Sequence, residues 1–249
     1  MNRYGGKMDR RNFLKVVAAG TTLMAVSPSM INGRLYASDG TLYAAYEKVQ
    51  LVDAAGSPIK ASALKPEVNY VFNYPHVGTP CLLLNLPGKT EVDVKLKSEF
   101  GEEYVWKSGV GKERSIVAYS AICTHQLTHP TPRDSFFQYV PTSKKTMAYD
   151  KSGVIVCSSH LSAYDAKAGA KVLAGAAGQP LASIVLEHKD DDTLWAVGVL
   201  GADKFHDYFK SFKPELKEFY GGKREAKKLV KFSAKTIPLT EFSKELIQY

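Results

Sequence analysis

Between residues 43 and 200 the apolar positions gather into short runs rich in Val, Ile, Leu and Tyr, with turn residues such as Leu86-Pro87-Gly88 and Asp190-Asp191-Asp192 between them. Runs at 48–53, 69–73, 82–86, 91–97, 115–121, 154–157, 183–187 and 193–200 have the composition and the Gly, Pro, Asn or Asp boundaries of strands. Few stretches repeat with the helical period. The pattern predicts an all-β body of antiparallel sheets. Residues 128–151 interrupt it. Pro130, Pro132 and Pro141 among polar and aromatic neighbours predict a long loop there, and loops of that length in compact domains are functional or mobile.

After Gly201 the sequence turns to Lys, Glu, Phe and Tyr, broken by Pro214, Gly221-Gly222 and Pro238. Phe205, Tyr208, Phe209 and Phe212 recur at spacings of three, one and three, which puts them on one face of a short helix. Residues 223–231 suit a second short basic helix and 237–249 a final amphipathic piece. The aromatic face needs a partner, either its own domain or another subunit on which the tail docks as an arm. The chain therefore divides into a leading segment, 1–37, a body, 38–202, and a basic, aromatic tail, 203–249.

Ahead of the body, an apolar stretch of about eleven residues runs from Val16 to Val26, with Thr21-Thr22 inside it. That is short of the roughly 20 needed to cross a bilayer. Asp9-Arg10-Arg11-Asn12-Phe13-Leu14-Lys15 precedes them and Ser27-Pro28 follows. The arginine pair before Phe-Leu-Lys resembles a twin-arginine export signal, with Asp9 where Ser or Thr is commoner. Leu35-Tyr36-Ala37 before Ser38 offers a cleavage site in which Leu35 is larger than usual. This resemblance implies a periplasmic protein that crosses the membrane folded, with any cofactor already inserted. If the segment is retained, it anchors the chain to the membrane.

Composition changes the picture in two ways. At 45% hydrophobic and 23% charged residues the chain is globular, and disordered, collagen-like and coiled-coil readings are excluded. The net charge of +8 suggests nucleic acid until it is divided: residues 1–37 carry six Lys/Arg against one Asp, and residues 203–249 eleven Lys/Arg against seven Asp/Glu, which leaves the body near −1. A phosphate-binding patch belongs on the folded domain, so no nucleic-acid partner is expected.

Three cysteines are too few to staple a scaffold and leave at least one thiol for other work. Cys123-Thr124-His125 and Cys157-Ser158-Ser159-His160 form two Cys/His pairs on either side of the expected long loop, each next to a predicted strand. Two ligand-bearing loops would then lie side by side at one tip of a sheet. Zinc would take all four donors in one tetrahedral shell; a two-iron centre with mixed ligands would put thiolates on one iron and imidazoles on the other. Common zinc modules place a Cys pair before a His pair, whereas here each half-motif mixes the two. Ser162 and Tyr164, two and four residues beyond His160, can both donate hydrogen bonds to cluster sulfurs.

With these residues the chain resembles the Rieske iron–sulfur protein family. The resemblance implies an antiparallel β-sheet domain with a cluster-binding subdomain at about 120–180 and a [2Fe–2S] cofactor. It also implies Cys123 and Cys157 on one iron, His125 and His160 on the other, Ser162 bonded to a bridging sulfide and Tyr164 to a cysteine sulfur. Gly175-Ala176-Ala177-Gly178-Gln179-Pro180-Leu181 looks like the family's third cluster-covering loop, with Gly-Ala for the usual Gly-Pro. Phe72-Asn73-Tyr74-Pro75, Thr79-Pro80-Cys81-Leu82-Leu83-Leu84 and Ile116-Val117-Ala118-Tyr119-Ser120 look most like the small subunit of arsenite oxidase. Three departures stand out. Thr128 and Ser159 occupy the positions of the cysteine pair that braces high-potential members. Leu161 replaces the Gly usually found after the second His. The 31 residues between His125 and Cys157 make a longer insertion than usual.

The expected function is electron transfer by an exported subunit that turns over no substrate alone. It would relay single electrons from a molybdopterin catalytic subunit to a cytochrome c or similar carrier. A quinol-oxidising subunit of a cytochrome bc-type complex is the alternative and needs a retained anchor; a zinc-stabilised periplasmic interaction module is the second. Elsewhere, Cys81 reads as a small buried hydrophobe and His129 as a solvated loop residue. His76 and His188 border strands without evident partners, and 190–192 reads as a turn rather than a calcium loop.

Overall fold

The computed structural model describes residues 29–31, 34–36 and 42–248; the arginine pair and the apolar stretch of the leading segment lie outside them. All eight predicted strands form, and others join them. In chain order the strands are β1 (Ser29–Ile31), β2 (Arg34–Tyr36), β3 (Tyr43–Val52), β4 (Tyr70–Asn73), β5 (Pro80–Asn85), β6 (Val94–Lys97), β7 (Glu103–Trp106), β8 (Ile116–Ser120), β9 (Asp134–Ser135), β10 (Phe137–Val140), β11 (Val154–Cys157) and β12 (Ser162–Asp165). They continue with β13 (Lys171–Ala174), β14 (Ser183–His188), β15 (Leu194–Leu200), β16 (Ser233–Lys235), β17 (Ile237–Pro238) and β18 (Glu245–Leu246). Helices α1 (Phe205–Ser211), α2 (Lys213–Tyr220), α3 (Lys223–Ala226) and α4 (Leu239–Phe242) are confined to the tail.

An eight-stranded sheet in the order β16-β3-β15-β14-β8-β5-β4-β17 carries the fold, beside a four-stranded sheet in the order β10-β11-β12-β13. Strand β5 is an unbroken apolar run because both faces of it are covered. Leu82 and Leu84 point into one core, with Val117 and Tyr119 of β8 and with Phe137, Ile155 and Tyr164 of the smaller sheet. Cys81 and Leu83 point into the other, with Ile116 and Ala118 and with Phe205, Tyr208, Phe209 and Leu216 of the tail. Alternation along a strand thus sorts the residues into two cores. The large sheet is a central layer between the smaller sheet and the C-terminal helices. The aromatic face of the tail finds its partner within the chain, and β16 and β17 extend both edges of the sheet.

Three local expectations are corrected. The stretch 128–151 is not a continuous loop: β10 forms inside it and pairs in register with β11, Phe137 opposite Cys157. Its prolines flank that strand instead of falling within it, and Phe137 and Tyr139 face the core. Pro214 does not break the tail but begins α2, where its missing N–H costs nothing, and Gly221 (φ 76°) ends that helix. Helix α3 stops at Ala226 because the chain then turns to hydrogen-bond with 75–78: Gly78 N–H donates to Ala226 O, Val77 N–H to Lys228 O and Val230 N–H to Pro75 O. The last segment, the amphipathic piece, is two short strands around a single turn, α4.

Candidate metal centre

Strand β8 leads through Ala121 and Ile122 to Cys123, which is 1% exposed. The next five residues close on themselves: Leu127 N–H donates to Cys123 O at 3.0 Å and Cys123 N–H to Thr128 O at 2.8 Å. This turn carries His125 on its outer side and holds Leu127 in the left-handed region, φ 64°. The second loop is the tip of the β11–β12 hairpin. Cys157 and Ser162 face each other across it, Ser158 N–H donates to Phe136 O at 2.7 Å, and His160 and Leu161 project from the end. Leu161, where the resemblance expects Gly, keeps the left-handed backbone (φ 55°) and is 37% exposed beside His160.

The third loop follows β13. Gly175 (φ 85°) lies so close to the second loop that a Cβ there would sit 2.5 Å from Leu161 O and Ser162 Cα. Both the dihedral and the contact demand glycine. Gln179 ties this loop in on three sides. It accepts from Glu99 N–H through Oε1, donates through Nε2 to Ala202 O at 2.8 Å, and its carbonyl accepts from Thr124 Oγ1 at 2.8 Å.

These loops bring Cys123, His125, Cys157 and His160 together in two pairs. The thiols are buried within hydrogen-bonding reach of each other. The imidazoles lie outside them, with ring centroids 4.9 Å apart at 88° and His160 exposed. Among the described residues no three His, Cys, Asp or Glu side chains gather round a single point. A single tetrahedral ion wants four converging donors, whereas a two-iron centre with mixed ligands wants two and two.

The surroundings suit one thiolate within the pair. The Cys157 thiol donating to Cys123 lowers the Cys123 pKa despite burial, helped by the Tyr164 hydroxyl and the N–H groups of His125 and Gln126. Cys157, left as the proton-holding partner and desolvated, is raised, against opposing hydrogen bonds from Ser159 N–H and the Thr128 hydroxyl. Two sulfurs with donors already aimed at them are poised to hold a cation. The Tyr164 hydroxyl stands 3.3 Å from Cys123 Sγ. Ser162 Oγ, Ser158 Oγ and His125 Nδ1 are buried without a hydrogen-bond partner. Buried polar atoms in that condition are costly unless something else satisfies them, and three of them in the two ligand loops fit a bound inorganic cluster.

Several residues carry roles that sequence alone does not give. Thr124, Thr128 and Gln179 fall within the quoted motifs, but the hydrogen bonds they make within and between the loops are not legible there. His129 is corrected outright: it is buried at 6% exposure, with Glu215 and Leu127 as partners. His188 pairs with Asp192 at 2.8 Å, and His76 is enclosed by Tyr46, Phe205 and Phe209. Cys81 is fully buried, as expected, and burial pushes its thiol pKa up.

Residues 88–184, which contain all four donors, match the family described as the Rieske [2Fe-2S] domain. The chain is similar to iodate reductase subunit IdrB of Denitromonas iodatirespirans, at 29% identity over 201 residues covering 80% of this chain and 86% of that one. It is similar to the subunit of the same name from Pseudomonas sp. (strain SCT), at 29% identity over 194 residues covering 78% and 80%. Among solved structures, the soluble domain of the Rieske protein II (soxF) from Sulfolobus acidocaldarius aligns with 62% of this chain and 78% of its own, at 22% identity and a TM-score of 0.41.

Proposed function

Since this chain carries a Rieske [2Fe–2S] domain, we propose that it is the electron-transfer subunit of a larger oxidoreductase and relays single electrons between a molybdopterin catalytic subunit and a small carrier such as a cytochrome c. The observation that carries the reading is the layering of the donors, a buried thiol pair beneath an imidazole pair whose outer member, His160, reaches solvent. Cys123 and Cys157 would hold the inner iron, and His125 and His160 the outer one. When bound, the cluster supplies a reversible one-electron store.

The chain's own residues do the rest. Tyr164, Thr128 and the N–H groups of His125, Gln126 and Ser159 direct hydrogen bonds at the cysteine sulfurs, which favours the more electron-rich state. Ser162 Oγ, still unpartnered, is free to donate to an inorganic sulfide. Leu161 covers the tip beside His160 with an apolar side chain. The imidazole edge at the surface gives an electron a short path to a docked partner.

The names of the relatives favour an oxoanion reductase, in which electrons arrive from the carrier. An arsenite-oxidising complex would run the same relay in the other direction. The arginine-pair segment supports a periplasmic location with export after cluster insertion. EPR of the dithionite-reduced protein, with metals assayed, tests the reading. A rhombic [2Fe–2S] signal with a low average g, as mixed Cys/His ligation requires, is the expected result. Zinc at one per chain with no signal would overturn it in favour of a structural site.

A further inference from the structure

The two ligand loops have no covalent tie, because Cys81, Cys123 and Cys157 are all free. The first loop also contains a leucine in the left-handed region, a conformation that persists only where the surroundings over-determine it. The restraint comes from the far end of the chain. His129 Nδ1 lies 2.7 Å from the carbonyl of that same Leu127, and its Nε2 lies 2.5 Å from Glu215 Oε1 on α2. One ring nitrogen thus faces an acceptor on the ligand loop and the other an acceptor on the tail, so the ring bridges the two. Tyr208 and Phe212 meet the ring edge-on at 4.7 and 4.8 Å and fix its plane.

The grip continues along the segment. One turn further on α2, Glu218 pairs with Arg133. Ser243 Oγ donates to Thr131 O at 2.6 Å, Lys244 and Glu245 N–H donate to the carbonyls of Pro132 and Arg133, and β18 runs alongside β9. Residues 129–135 are thus held between two parts of the tail. Between this anchored segment and the donors stands Thr128. Its carbonyl takes the Cys123 N–H at 2.8 Å, and its hydroxyl is among the groups near the Cys157 thiol that lower that thiol's pKa. One residue therefore touches both thiol-bearing loops, and the tail fixes the residue next to it.

We infer that the C-terminal tail is a built-in clamp on the first ligand loop, with His129 and Glu215 as its positioning pair and Thr128 as the residue through which it sets the two cysteines. The inference rests on the ligand assignment proposed above. Being ionic and aromatic, the clamp forms without an oxidant in whatever compartment the cluster is inserted.

The test uses the full chain with Glu215→Ala, Glu215→Gln and Thr128→Val. Cluster loss to a chelator should be faster by roughly tenfold or more in Glu215→Ala, the range seen when outer-sphere supports of a metal site are removed. Its reduced EPR signal should broaden, while Glu215→Gln, which still accepts from His129, stays within about twofold of wild type in cluster loss. Thr128→Val should speed cluster loss without changing the melting temperature, which keeps the inference testable if Glu215→Ala folds poorly. In metal-free protein, amide exchange at 124–127 should rise in Glu215→Ala relative to the slowest strands. A fall in melting temperature in Glu215→Ala with unchanged signal, chelator kinetics and loop exchange would overturn the clamp. Failure of the wild type to give a cluster signal would instead sink the ligand assignment, and loop exchange would still decide whether the tail holds the loop.

Discussion

Tyr164 has one phenolic proton and two acceptors for it. Its hydroxyl lies 3.3 Å from Cys123 Sγ and 3.2 Å from Thr124 Oγ1. The Thr124 hydroxyl spends its own proton on the Gln179 carbonyl, so it faces Tyr164 as an acceptor, while Thr124 N–H donates to the phenol oxygen. The tyrosine proton is therefore shared between sulfur and threonine. A buried hydrogen bond to a charged group contributes about 1.5 to 3 kcal/mol, and half of that, for a shared proton, is about 0.75 to 1.5 kcal/mol. For a one-electron couple ~1.4 kcal/mol corresponds to ~59 mV. Because a donor to sulfur favours the reduced state, Tyr164→Phe should lower the midpoint potential by ~30–65 mV. Thr124→Val keeps the side-chain shape and removes the competing acceptor, so it should move the potential upward. An EPR-monitored redox titration of both variants and the wild type at one pH is the assay. Shifts of the same sign would refute the shared-proton argument, and a midpoint that stays or rises in Tyr164→Phe would remove that residue from the cluster's surroundings.

Three further outcomes are expected. His160→Ala should abolish the cluster, read as lost iron and visible absorbance, while most of the sheet signal in circular dichroism remains; an unchanged spectrum would take His160 out of the ligand set. His76 is held neutral by burial and, secondarily, by Lys227, with its pKa down at about 4. Since the folded value lies below the unfolded one, its contribution is complete above about pH 6.5 and is lost as pH falls toward 4, about 2 to 3 kcal/mol after allowance for screening. Urea midpoints at pH 7 and pH 4 in wild type and His76→Phe should differ by that pH-dependent amount, and parallel profiles would count against it. Gly175→Ala forces a Cβ onto the backbone of the second loop and should cost about 2 kcal/mol or more, read as a lower melting temperature; an unmoved melting temperature would mean the third loop can shift freely.

The candidate donors were legible in sequence because chemistry restricts such groups to few residue types at fixed offsets within short loops. Cys123 with His125 and Cys157 with His160 are local patterns, and Tyr164 follows at a fixed step along β12. The strands were legible where one apolar run bounded by turn residues carries the signal. Strand β10 was hidden because prolines at 130, 132 and 141 dominate its neighbourhood, although Phe137 and Tyr139 already alternate with polar or smaller partners. Helix α2 was hidden by Pro214, which has opposite meanings at a helix start and in its interior. His129 was misread for a different reason: its partner is 86 residues away, and no local pattern encodes a contact made by the packing of the tail.

The two thiol-bearing loops leave different sheets, Cys123 from β8 of the large sheet and Cys157 from β11 of the small one. Their separation is therefore a consequence of how the sheets pack. Tyr119 and Tyr164 stand in the core between them, the former donating to Ala166 O at 2.9 Å across the interface, and Phe137 packs 6.3 Å from the Tyr164 ring. A densely packed core transmits small changes in volume or tilt, so a substitution there alters sulfur placement even when no ligand is touched. The imidazole pair is less constrained from below, with His160 at the free end of a hairpin and His125 on the outside of a turn. Rigidity on the thiol side and access on the imidazole side follow from the same topology. That polarity suits the proposed assignment, with a cluster held firmly from the thiol side and the two imidazoles left on the outer side.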